Sequence, residues 1–493
     1  MTENNAYRVR FAPSPTGHVH LGSARTALYD FLIAKNTGGK FVLRIEDTDR
    51  KRLVEGAEEE LISSLHWLGI DWDEGPDKGG PYGPYRQSER KEIYLSHARE
   101  LVEKGQAYYC FCTTERLNKV RQEKLAQKQD PRYDGLCRAI TPLEAEKRVN
   151  AGEPHVIRFK SPKEGTTVVK DLLRGEITFE NKNLDDFIIV KTDGWALYHL
   201  AAIVDDYLMK ITHVIRGSEW LPTSPQHSLI WKAFGWKEPV WVHLSVFLKP
   251  SGKGKMSKRE EAALTNDGYS IFIKDLEKLG YLPEAVINWV ALMGWSFDDH
   301  TEFFSMNDLV NNFSLEKLNP SPAAINFSKL DHFNKEHIKK LTNQDLAEKV
   351  YPFFLDKGLE PDKAKLEEIA PVINERLTTL DDAVELCKFI FTDIPLPEQA
   401  ALVIAEKTPT ETIKIANEIL ALLSELSVWD VSRIDSVLKK YMEDNQLSPR
   451  QVLGFLREAI AGQKVTPPLY ESMAVLGKPA CIERIKRAIA VIG

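Results

Sequence analysis

The first half of the chain alternates short apolar runs with helical patterns of apolar residues. Runs at 7–12 and 40–46 have the composition of strands and flank a segment of helical periodicity. The apolar residues that recur on one face of this segment are Leu21, Ala24, Leu28, Phe31 and Leu32. Because parallel strands need a crossover connection that is usually a helix, the pattern predicts a βαβ unit and the start of a parallel sheet.

The pattern changes twice after this unit. Between 106 and 186, short strand-like runs predict an α+β insertion that splits the parallel-sheet domain. Strand signals return at 187–191 and 211–216, where we expect the parallel sheet to resume. From about 332 onward, almost everything reads as short amphipathic helices. The chain is therefore predicted to be a multidomain α/β and all-α protein, with a Rossmann-like core, an α+β insertion and helical domains after it.

Composition narrows the class of protein. The 493 residues are 43% hydrophobic and 28% charged, which is typical of a soluble globular protein of several domains. The chain has no long apolar run and no signal-peptide pattern at its N-terminus, so we expect no membrane span and a cytoplasmic location. Five cysteines, an odd count, fit a reducing compartment. The net charge of −7 argues only weakly against a nucleic-acid partner, because counterion release depends on local contacts.

Two motifs far apart in the chain indicate the chemistry. The first, Pro-Ser-Pro-Thr-Gly-His-Val-His-Leu-Gly-Ser at 13–23, connects the first strand to the first helix. A glycine-containing turn at a helix N-terminus presents free N–H groups to a phosphate, and His20 can donate to the same anion. The second, Lys-Met-Ser-Lys-Arg at 255–259, follows Gly252 and Gly254 and places two lysines in a loop. Together they predict a clamp on a nucleoside triphosphate, with one fixed and one movable half.

Longer strings around these motifs carry a family resemblance. They are Arg-Phe-Ala-Pro-Ser-Pro-Thr-Gly at 10–17, Leu-Arg-Ile-Glu-Asp-Thr-Asp at 43–49, Gly-Pro-Tyr-Arg-Gln-Ser-Glu-Arg at 83–90, Tyr-His-Leu-Ala at 198–201 and Thr-His-Val-Ile-Arg-Gly-Ser-Glu-Trp at 212–220. With the two motifs, this ordered set resembles class I aminoacyl-tRNA synthetases, and among them the bacterial glutamyl-tRNA synthetase family. One departure is Ser23, which stands where the fuller first signature has its second histidine; this family often has a small residue there.

The resemblance implies an ATP site, with Mg²⁺ accompanying the nucleotide. Its residues are Ser14, Thr16, Gly17, His20, Gly22, Lys255, Ser257 and Lys258. His20 and Lys258 are the predicted catalytic residues, because cations placed in advance stabilise the charge that builds on departing pyrophosphate. The alternatives are that His20 only caps the helix and that the lysines are solvated surface residues.

The resemblance also implies a glutamate pocket. Its residues are Arg10, Ser14, Glu46, Tyr198 and Arg216. The α-ammonium of glutamate needs an anion such as Glu46, and its side-chain carboxylate needs an arginine, whose planar fork binds carboxylates bidentately. Arg216 is the main candidate for that arginine, and Arg10 is expected to help bind the same carboxylate. The alternatives are structural ion pairs of Arg44 with Glu46 and of Arg216 with Glu219.

Further residues near these strings have two open readings each. Tyr198 could bind substrate or serve only as a core aromatic residue. Trp220 could pack against the nucleotide or fill the core. Asp205 and Asp206 could order the edge of the sheet or contact the substrate.

The cysteines of the insertion resemble the zinc element of the family, Cys-x-Cys-x24-Cys-x-His. Cys110, Cys112 and Cys137 fit the spacing, but Ala139 stands in place of the histidine. Tyr133 occupies a place that serves as a ligand in the family, so three thiolates and one oxygen would complete a tetrahedral structural zinc site. The alternative is a set of ordinary cysteines in a domain without metal.

The resemblance implies a monomeric glutamate–tRNA ligase, which makes glutamyl-adenylate from L-glutamate and ATP and charges tRNA(Glu), with tRNA(Gln) left open. The predicted ranges are 1–105 and 187–235 for the two halves of the catalytic domain, 106–186 for the insertion that contacts the acceptor stem, 236–331 for the stem-contact region and 332–493 for the helical anticodon-binding region. A glutamine ligase, whose anticodon region is built of β-barrels, does not fit the helical C-terminal part. A non-catalytic RNA-binding protein and a generic nucleotidyltransferase fit the complete motif set less well.

Overall fold

The computed structural model describes residues 6–256, 268–395, 397–463 and 466–493. Ser257 and Lys258 of the predicted clamp lie outside the described residues. In the described ranges, no helix is both long enough and apolar enough to span a bilayer. The architecture is multidomain, with a mixed α/β part and an all-helical part, as the sequence pattern predicts.

The chain divides into two compact units. The first comprises Met1–Asp275 and Ile287–Phe327, and the second comprises Leu276–Val286 and Ser328–Gly493. Up to residue 324 the described elements are β1 (Arg8–Phe11), α1 (Leu21–Asn36), β2 (Lys40–Leu43), α2 (Ala57–Trp67), α3 (Lys91–Glu103), β3 (Ala107–Cys110), α4 (Thr114–Ala126), α5 (Pro142–Asn150), β4 (Val156–Phe159), β5 (Thr166–Asp171), β6 (Gly175–Glu180), β7 (Ile188–Val190), α6 (Tyr198–Leu208), β8 (His213–Gly217), α7 (Ser224–Phe234), β9 (Val240–Leu244), β10 (Phe247–Leu248), α8 (Ile273–Lys278), α9 (Pro283–Ala291), α10 (Met306–Asn312) and β11 (Ala323–Ala324).

The remaining described elements are all helices. They are α11 (Phe327–Lys339), α12 (Asn343–Asp356), α13 (Lys363–Ile373), α14 (Asp382–Cys387), α15 (Gln399–Leu402), α16 (Pro409–Glu425), α17 (Val431–Asp444), α18 (Pro449–Ala461), α19 (Leu469–Leu476) and α20 (Lys478–Ile492).

A row of parallel strands forms the centre of the first unit. β1 and β2 pair in parallel from Arg8↔Lys40 onward, which confirms the predicted βαβ start. The N–H of Thr212, just before β8, donates to the carbonyl of Arg8 at 2.8 Å, so β8 lies on the other side of β1. β9 pairs in parallel with β8, and β5 pairs in parallel with β9 through Asp171↔Trp241. The carboxyl ends of these strands therefore meet at one edge.

The sheet does not resume where the sequence pattern predicts. We expected the parallel sheet to return at 187–191, and this was wrong: β7 pairs antiparallel with β4, which pairs with β3 in a separate sheet. The next strand of the chain that belongs to the parallel sheet is instead β5, which lies within the range predicted for the insertion (106–186). After β7, the parallel sheet continues with β8. A short apolar run fits any half-buried pleated surface, so its composition carries no information about which partner strand it meets.

Helix α1 is more deeply buried than a one-sided helix. Besides the predicted apolar face, Ala27, Tyr29 and Ile33 are buried, as are the polar residues Arg25 and Asp30. A helix that is apolar on nearly all sides is a core helix, and α1 packs on β1, β2 and β8 and on α10. This burial fixes the start of α1, where the first motif lies.

The second unit is built from capped amphipathic helices. Thr408 and Glu411 form a reciprocal capping box at the start of α16, and Pro409 occupies its first turn, where the missing N–H costs nothing. The core contains buried side chains such as Leu423, Leu438 and Phe455, one from each of α16, α17 and α18. The helical pattern from 332 onward is thus confirmed.

Candidate active site

The carboxyl ends of the parallel strands border a cavity of about 630 Å³. Its wall includes Phe11 at the end of β1, Gly217 at the end of β8, Ser245 just after β9 and Glu46 shortly after β2. Ligands of open α/β sheets bind at this edge, because the loops that follow the strands can supply side chains there. The cavity is therefore where a ligand site of the first unit is expected.

Most of the predicted site residues line this cavity. They are Arg10, Ser14, Thr16, His20, Gly22, Glu46, Tyr198, Arg216 and Lys255. Gly17 is not among the described lining residues; it lies in the turn between them with a φ of 145°, a conformation that favours glycine. The structure thus brings together residues of both predicted pockets.

His20 caps helix α1 and faces the cavity. Its backbone is extended, and its Nδ1 accepts the N–H of Ser23 at 3.2 Å. Since Nδ1 accepts, the neutral ring carries its proton on Nε2, which lies 3.2 Å from Ser23 Oγ. A Cβ at Gly22 would approach the imidazole to 3.0 Å, so glycine leaves room for the ring. The capping role considered from the sequence is confirmed, and it places the ring on the cavity wall.

Buried carboxylates compensate the charge of Arg10. The Nε of Arg10 lies 3.0 Å from Asp206 Oδ1, and Arg44 Nη1 lies 2.8 Å from the same oxygen. Arg44 also pairs with Glu46 at 3.1 Å, so the structural ion pair considered from the sequence is present. Burial raises the pKa of Glu46, although the nearby charges of Arg44 and Arg10 act to lower it. Although burial alone would raise it, Arg10 and Arg44 hold the pKa of Asp206 below its usual value. We call Arg10, Arg44, Asp206 and Glu46 the paired-arginine cluster.

Arg216 has a different environment in the same wall. It lies at the end of β8, is buried, and donates to the hydroxyl of Tyr198 at 3.2 Å. Among the described residues it forms no ion pair, so the alternative of a pair with Glu219 was wrong. Burial lowers the pKa of Arg216. Trp220 lies with its ring centroid 4.6 Å from that of Tyr198 and also lines the cavity, so it does not fill the core.

Asp205 lies in the core and orders its surroundings. Its carboxylate accepts from Arg90 Nε at 2.7 Å, from Gln87 Nε2 at 2.9 Å and from Tyr94 OH at 2.7 Å. Asp205 is fully buried, and neither it nor Asp206 is among the described cavity-lining residues. Both carboxylates therefore hold other side chains in place.

Three residues in or behind the cavity wall were not predicted from the sequence. Arg25, one turn into α1, is buried, donates to the carbonyl of Met293 at 2.9 Å, and lies 4.1 Å from the ring centre of Phe247. His227 and His243 surround Arg216 and come from other elements. The sequence signals such a residue only as a polar side chain within an apolar strand or helix. This signal does not indicate which other residue the side chain contacts.

The three cysteines of the insertion form a cluster that is compatible with zinc. Their sulfur atoms, from Cys110, Cys112 and Cys137, lie within 4.8 Å of one another. The hydroxyl of Tyr133 lies 3.5 Å from Cys110 Sγ and 3.6 Å from Cys112 Sγ. A tetrahedral zinc ion with Zn–S bonds of about 2.3 Å needs donors at roughly this spacing. Ala139 supplies no donor, so an oxygen is the available fourth ligand.

Comparison with known proteins identifies both parts of the chain. Residues 6–332 match the family model of the catalytic domain of class I tRNA synthetases for glutamate and glutamine (E and Q), and residues 345–489 match an anticodon binding domain. Together the two matches account for most of the chain.

Relatives are similar over nearly the whole length. A glutamate–tRNA ligase of Dehalococcoides mccartyi is 44% identical over 99% of this chain and 98% of its own, and one of Borreliella burgdorferi is 43% identical over 98% of each chain. The solved structure of a glutamate tRNA ligase from Elizabethkingia meningosepticum in complex with its amino acid is 36% identical, with a TM-score of 0.91 over 99% of this chain and 100% of that one. The chain therefore belongs to the glutamate–tRNA ligase family of class I tRNA synthetases.

Proposed function

We propose that this chain ligates glutamate to tRNA(Glu): it activates L-glutamate with ATP and transfers the glutamyl group to the 3′ end of the tRNA. The observation that carries the proposal is the near full-length identity to glutamate–tRNA ligases. Class I tRNA synthetases in general use ATP with Mg²⁺. The anticodon-binding match at 345–489 supports tRNA as the second substrate.

The proposed ATP site is built around the start of α1. Its residues are Ser14, Thr16, Gly17, His20, Gly22 and Lys255, joined by Ser257 and Lys258 from the sequence motif. N–H groups at the start of a helix have no partner one turn earlier in the helix and lie at its positive end, which favours a phosphate. At the start of α1 the N–H groups of Leu21 and Ser23 donate to Ile271 and His20, so the N–H of Gly22 is the one we assign to the phosphate. His20 Nε2–H and the lysines would stabilise the charge that develops on the pyrophosphate.

The proposed glutamate site lies at the other strand ends of the same cavity. Arg216 binds the side-chain carboxylate, because no carboxylate among the described residues forms an ion pair with it. Glu46 binds the α-ammonium, with Ser14 and Tyr198 completing the pocket wall. Arg10 supports this wall. Because it forms an ion pair with Asp206, we assign it a smaller part in binding the glutamate side-chain carboxylate than the sequence predicts.

The reaction then follows in two displacements. An oxygen of the glutamate α-carboxylate forms a bond to the α-phosphorus of ATP, and the bond from that phosphorus to pyrophosphate breaks. A hydroxyl of the terminal ribose of the tRNA next attacks the carbonyl carbon of the adenylate, and AMP departs. Fixed charges and orientation supply most of such an acceleration.

Discrimination against glutamine follows from the uncompensated charge of Arg216. A carboxamide in place of the carboxylate would leave a buried guanidinium without a counter-charge. A site whose buried polar groups bind a specific polar group of the substrate strongly rejects an analogue without that group. An apolar pocket rejects an analogue with one additional group much less strongly. We therefore propose selection at the binding step, without an editing site.

We also propose that Cys110, Cys112 and Cys137 hold a structural zinc ion, with Tyr133 supplying an oxygen. The three thiols fit the softness of zinc, and Arg116 donates to Cys112 Sγ at 3.3 Å, which orients that sulfur. Metal analysis of the purified protein is expected to give one zinc per chain, and far less for Cys137→Ser. Wild-type protein without zinc after growth in zinc-supplemented medium would refute the site.

Two further features of the proposal concern the protein as a whole. We propose that it acts as a monomer in the cytoplasm. Light scattering of the purified protein, alone and with tRNA, tests the first point, and fractionation of the source cells tests the second.

The decisive experiment is aminoacylation with radiolabelled glutamate and ATP, with tRNA(Glu) and tRNA(Gln) assayed separately. Charging of tRNA(Glu) that collapses in Lys258→Ala is the expected result. The tRNA(Gln) assay determines whether specificity is strict or relaxed. Binding of tRNA without any charging would refute the ligase and favour a non-catalytic RNA-binding protein.

A further inference from the structure

Neutral groups hold the guanidinium of Arg216. Its Nε–H donates to His243 Nε2 at 3.0 Å, and Nη1 donates to His227 Nδ1 and to Tyr198 OH, both at 3.2 Å. Its Nη2 donates to Ser224 Oγ at 3.1 Å. These four bonds use four of the five N–H groups, and none of the acceptors is a carboxylate. The buried cation is thus oriented without being neutralised.

The register of the parallel sheet creates this arrangement. Arg216 on β8 is the direct partner of His243 on β9, so both side chains lie on the same face. On the far side of β9 lies Asp171 at the end of β5, and its Oδ2 is 2.6 Å from His243 Nδ1. Three adjacent strands therefore place a carboxylate, an imidazole and a guanidinium in a row.

The row fixes the tautomer of His243. A carboxylate can only accept a hydrogen bond, so Nδ1 of His243 carries the proton and donates to Asp171. Arg216 Nε–H can only donate, so Nε2 of His243 carries no proton and accepts this hydrogen bond with its lone pair. The ring is therefore neutral, and burial lowers its pKa, which favours that form. The carboxylate of Asp171 is held by other donors as well: Oδ1 accepts the N–H groups of Leu173 and Arg174.

His227 follows the same logic from α7. Its Nδ1 accepts from Arg216, so its Nε2–H donates to Nδ1 of His199 at 3.0 Å. Burial lowers the pKa of His227 well below its usual value, with the nearby charge of Arg216 as a second cause. Arg216 thus faces two imidazoles that accept and do not compensate its charge.

We propose that Asp171 and His243 are positioning residues for recognition of the glutamate side chain: Asp171 fixes the proton on Nδ1 of His243, whose Nε2 then holds Arg216 and leaves its charge to the substrate. The inference rests on the proposed function, because it requires Arg216 to bind the side-chain carboxylate. Its consequence is that a change at Asp171, which does not line the cavity among the described residues, weakens glutamate binding selectively.

The first test is Asp171→Asn. Two backbone N–H groups, of Leu173 and Arg174, donate to Oδ1, and only one, of His243, donates to Oδ2. The new amide would therefore keep its oxygen on the first side and turn its NH₂ toward His243 Nδ1. The proton of His243 would then lie on Nε2, which could no longer accept the N–H of Arg216. An Asp→Asn change in a Ser-His-Asp triad likewise leaves the histidine in the wrong tautomer. We expect the KM for glutamate to rise about tenfold, as for loss of one hydrogen bond to a charged group. The KM for ATP and kcat are expected to stay near the wild-type values.

A rescue separates tautomer control from a purely structural role. In Asp171→Asn combined with His243→Gln, the glutamine amide can present its oxygen to Arg216 by rotation, whatever residue 171 offers. We expect this double variant to recover most of the glutamate KM. His213→Gln, on the same strand as Arg216, is the matched control and should leave that KM unchanged.

The outcomes distinguish the two hypotheses. Arg216→Ala calibrates the assay: if the wild type charges glutamate and Arg216→Ala does not, the proposed function stands. An unchanged glutamate KM in Asp171→Asn, or no recovery in the double variant, would then overturn the positioning role. If Asp171→Asn does not fold, His243→Gln and His243→Leu replace it, with the KM raised only in the leucine variant; equal values for both would overturn the inference. Failure of the wild type to charge any tRNA would sink the proposed function itself.

Discussion

Two arginine sites in one cavity wall treat buried positive charge in opposite ways. In the paired-arginine cluster, Arg10 and Arg44 share the carboxylate of Asp206, at 3.0 and 2.8 Å. Within the described part of the chain, Arg216 has only neutral acceptors, from histidine, tyrosine and serine side chains. The first arrangement neutralises its charge within the protein and fixes the wall. The second keeps a charge available, which a ligand must complete.

The difference teaches where stability and binding reside. A buried cation without a counter-ion is costly, and the free protein bears that cost at Arg216. A substrate carboxylate removes the cost on binding, so the same energy appears as affinity and selectivity. Removing Asp206, which does not line the cavity among the described residues, should therefore harm folding, whereas removing a group at Arg216 should harm glutamate binding.

The largest effect is expected for Asp206→Ala. The change leaves Arg10 and Arg44 without the carboxylate they share in a fully buried place, and breaking a buried pair costs about 3–5 kcal/mol. Chemical denaturation, followed in the transition of the first unit, measures the loss. Glu153→Ala, which breaks a surface pair with Arg148, is the control and should change little. Equal stability of Asp206→Ala and wild type would contradict the contrast between the sites.

Arg216→Ala should have the second largest effect, on catalysis. Loss of the buried partner of a ligand carboxylate costs about 2–5 kcal/mol, so kcat/KM for glutamate should fall by a factor between roughly 30 and 5,000. Steady-state charging kinetics measure this, with Arg148→Ala as the control. Because the change also removes a buried charge without a counter-ion, the denaturation midpoint should stay near the wild-type value. A strongly lowered midpoint with intact glutamate kinetics would reverse the assignment.

A smaller effect is expected for Tyr198→Phe. The change removes one neutral acceptor of Arg216, at 3.2 Å, and leaves the aromatic contact with Trp220 in place. One hydrogen bond to a charged group supports a rise of roughly 3- to 10-fold in the KM for glutamate. Titration of glutamate at saturating ATP checks it. A rise in the KM for ATP instead would place Tyr198 in the nucleotide site.

The smallest effect concerns acid stability. Burial lowers the pKa of His213, at the start of β8, to about 4, whereas an unfolded histidine has a pKa of about 6.5. Between these values the unfolded chain binds a proton that the folded chain does not, so the unfolding free energy falls as the pH drops. His213→Gln should make this slope shallower by less than one proton. Denaturation curves at several pH values measure it, and an unchanged slope would show that His213 is not neutral there.

Local pattern predicted much of the framework. The βαβ start, the helix after His20 and the helical second unit are all present, because periodicity and capping residues act over a few positions. Ser14, Glu46 and Tyr198, quoted from separate strings, line one cavity, while their roles stay predictions. The partner of β7 was wrong, since three apolar residues fit either sheet.

Other features depend on residues distant in sequence. Asp205 and Asp206 are adjacent in the chain, yet Asp205 pairs with Arg90 and Asp206 with Arg10, while Arg44 lies within ion-pair distance of both. No spacing rule connects these residues, because α6, β1, β2 and the segment before α3 meet only in the folded unit. The same is true of Asp171, which lies within the range predicted as the insertion and reaches the site through β9.

The sequence by itself determined the elements, the two motifs and the set of residues able to hold a phosphate or a carboxylate. Side-chain chemistry and local periodicity are properties of neighbouring residues, so they can be read directly from the chain. Only the tertiary structure decided which arginine is neutralised and which remains available, because α6 places Asp206 beside Arg10, whereas strand register places His243 beside Arg216. The charge state of a buried site depends on its partners, and these partners come from elements that are distant in the chain.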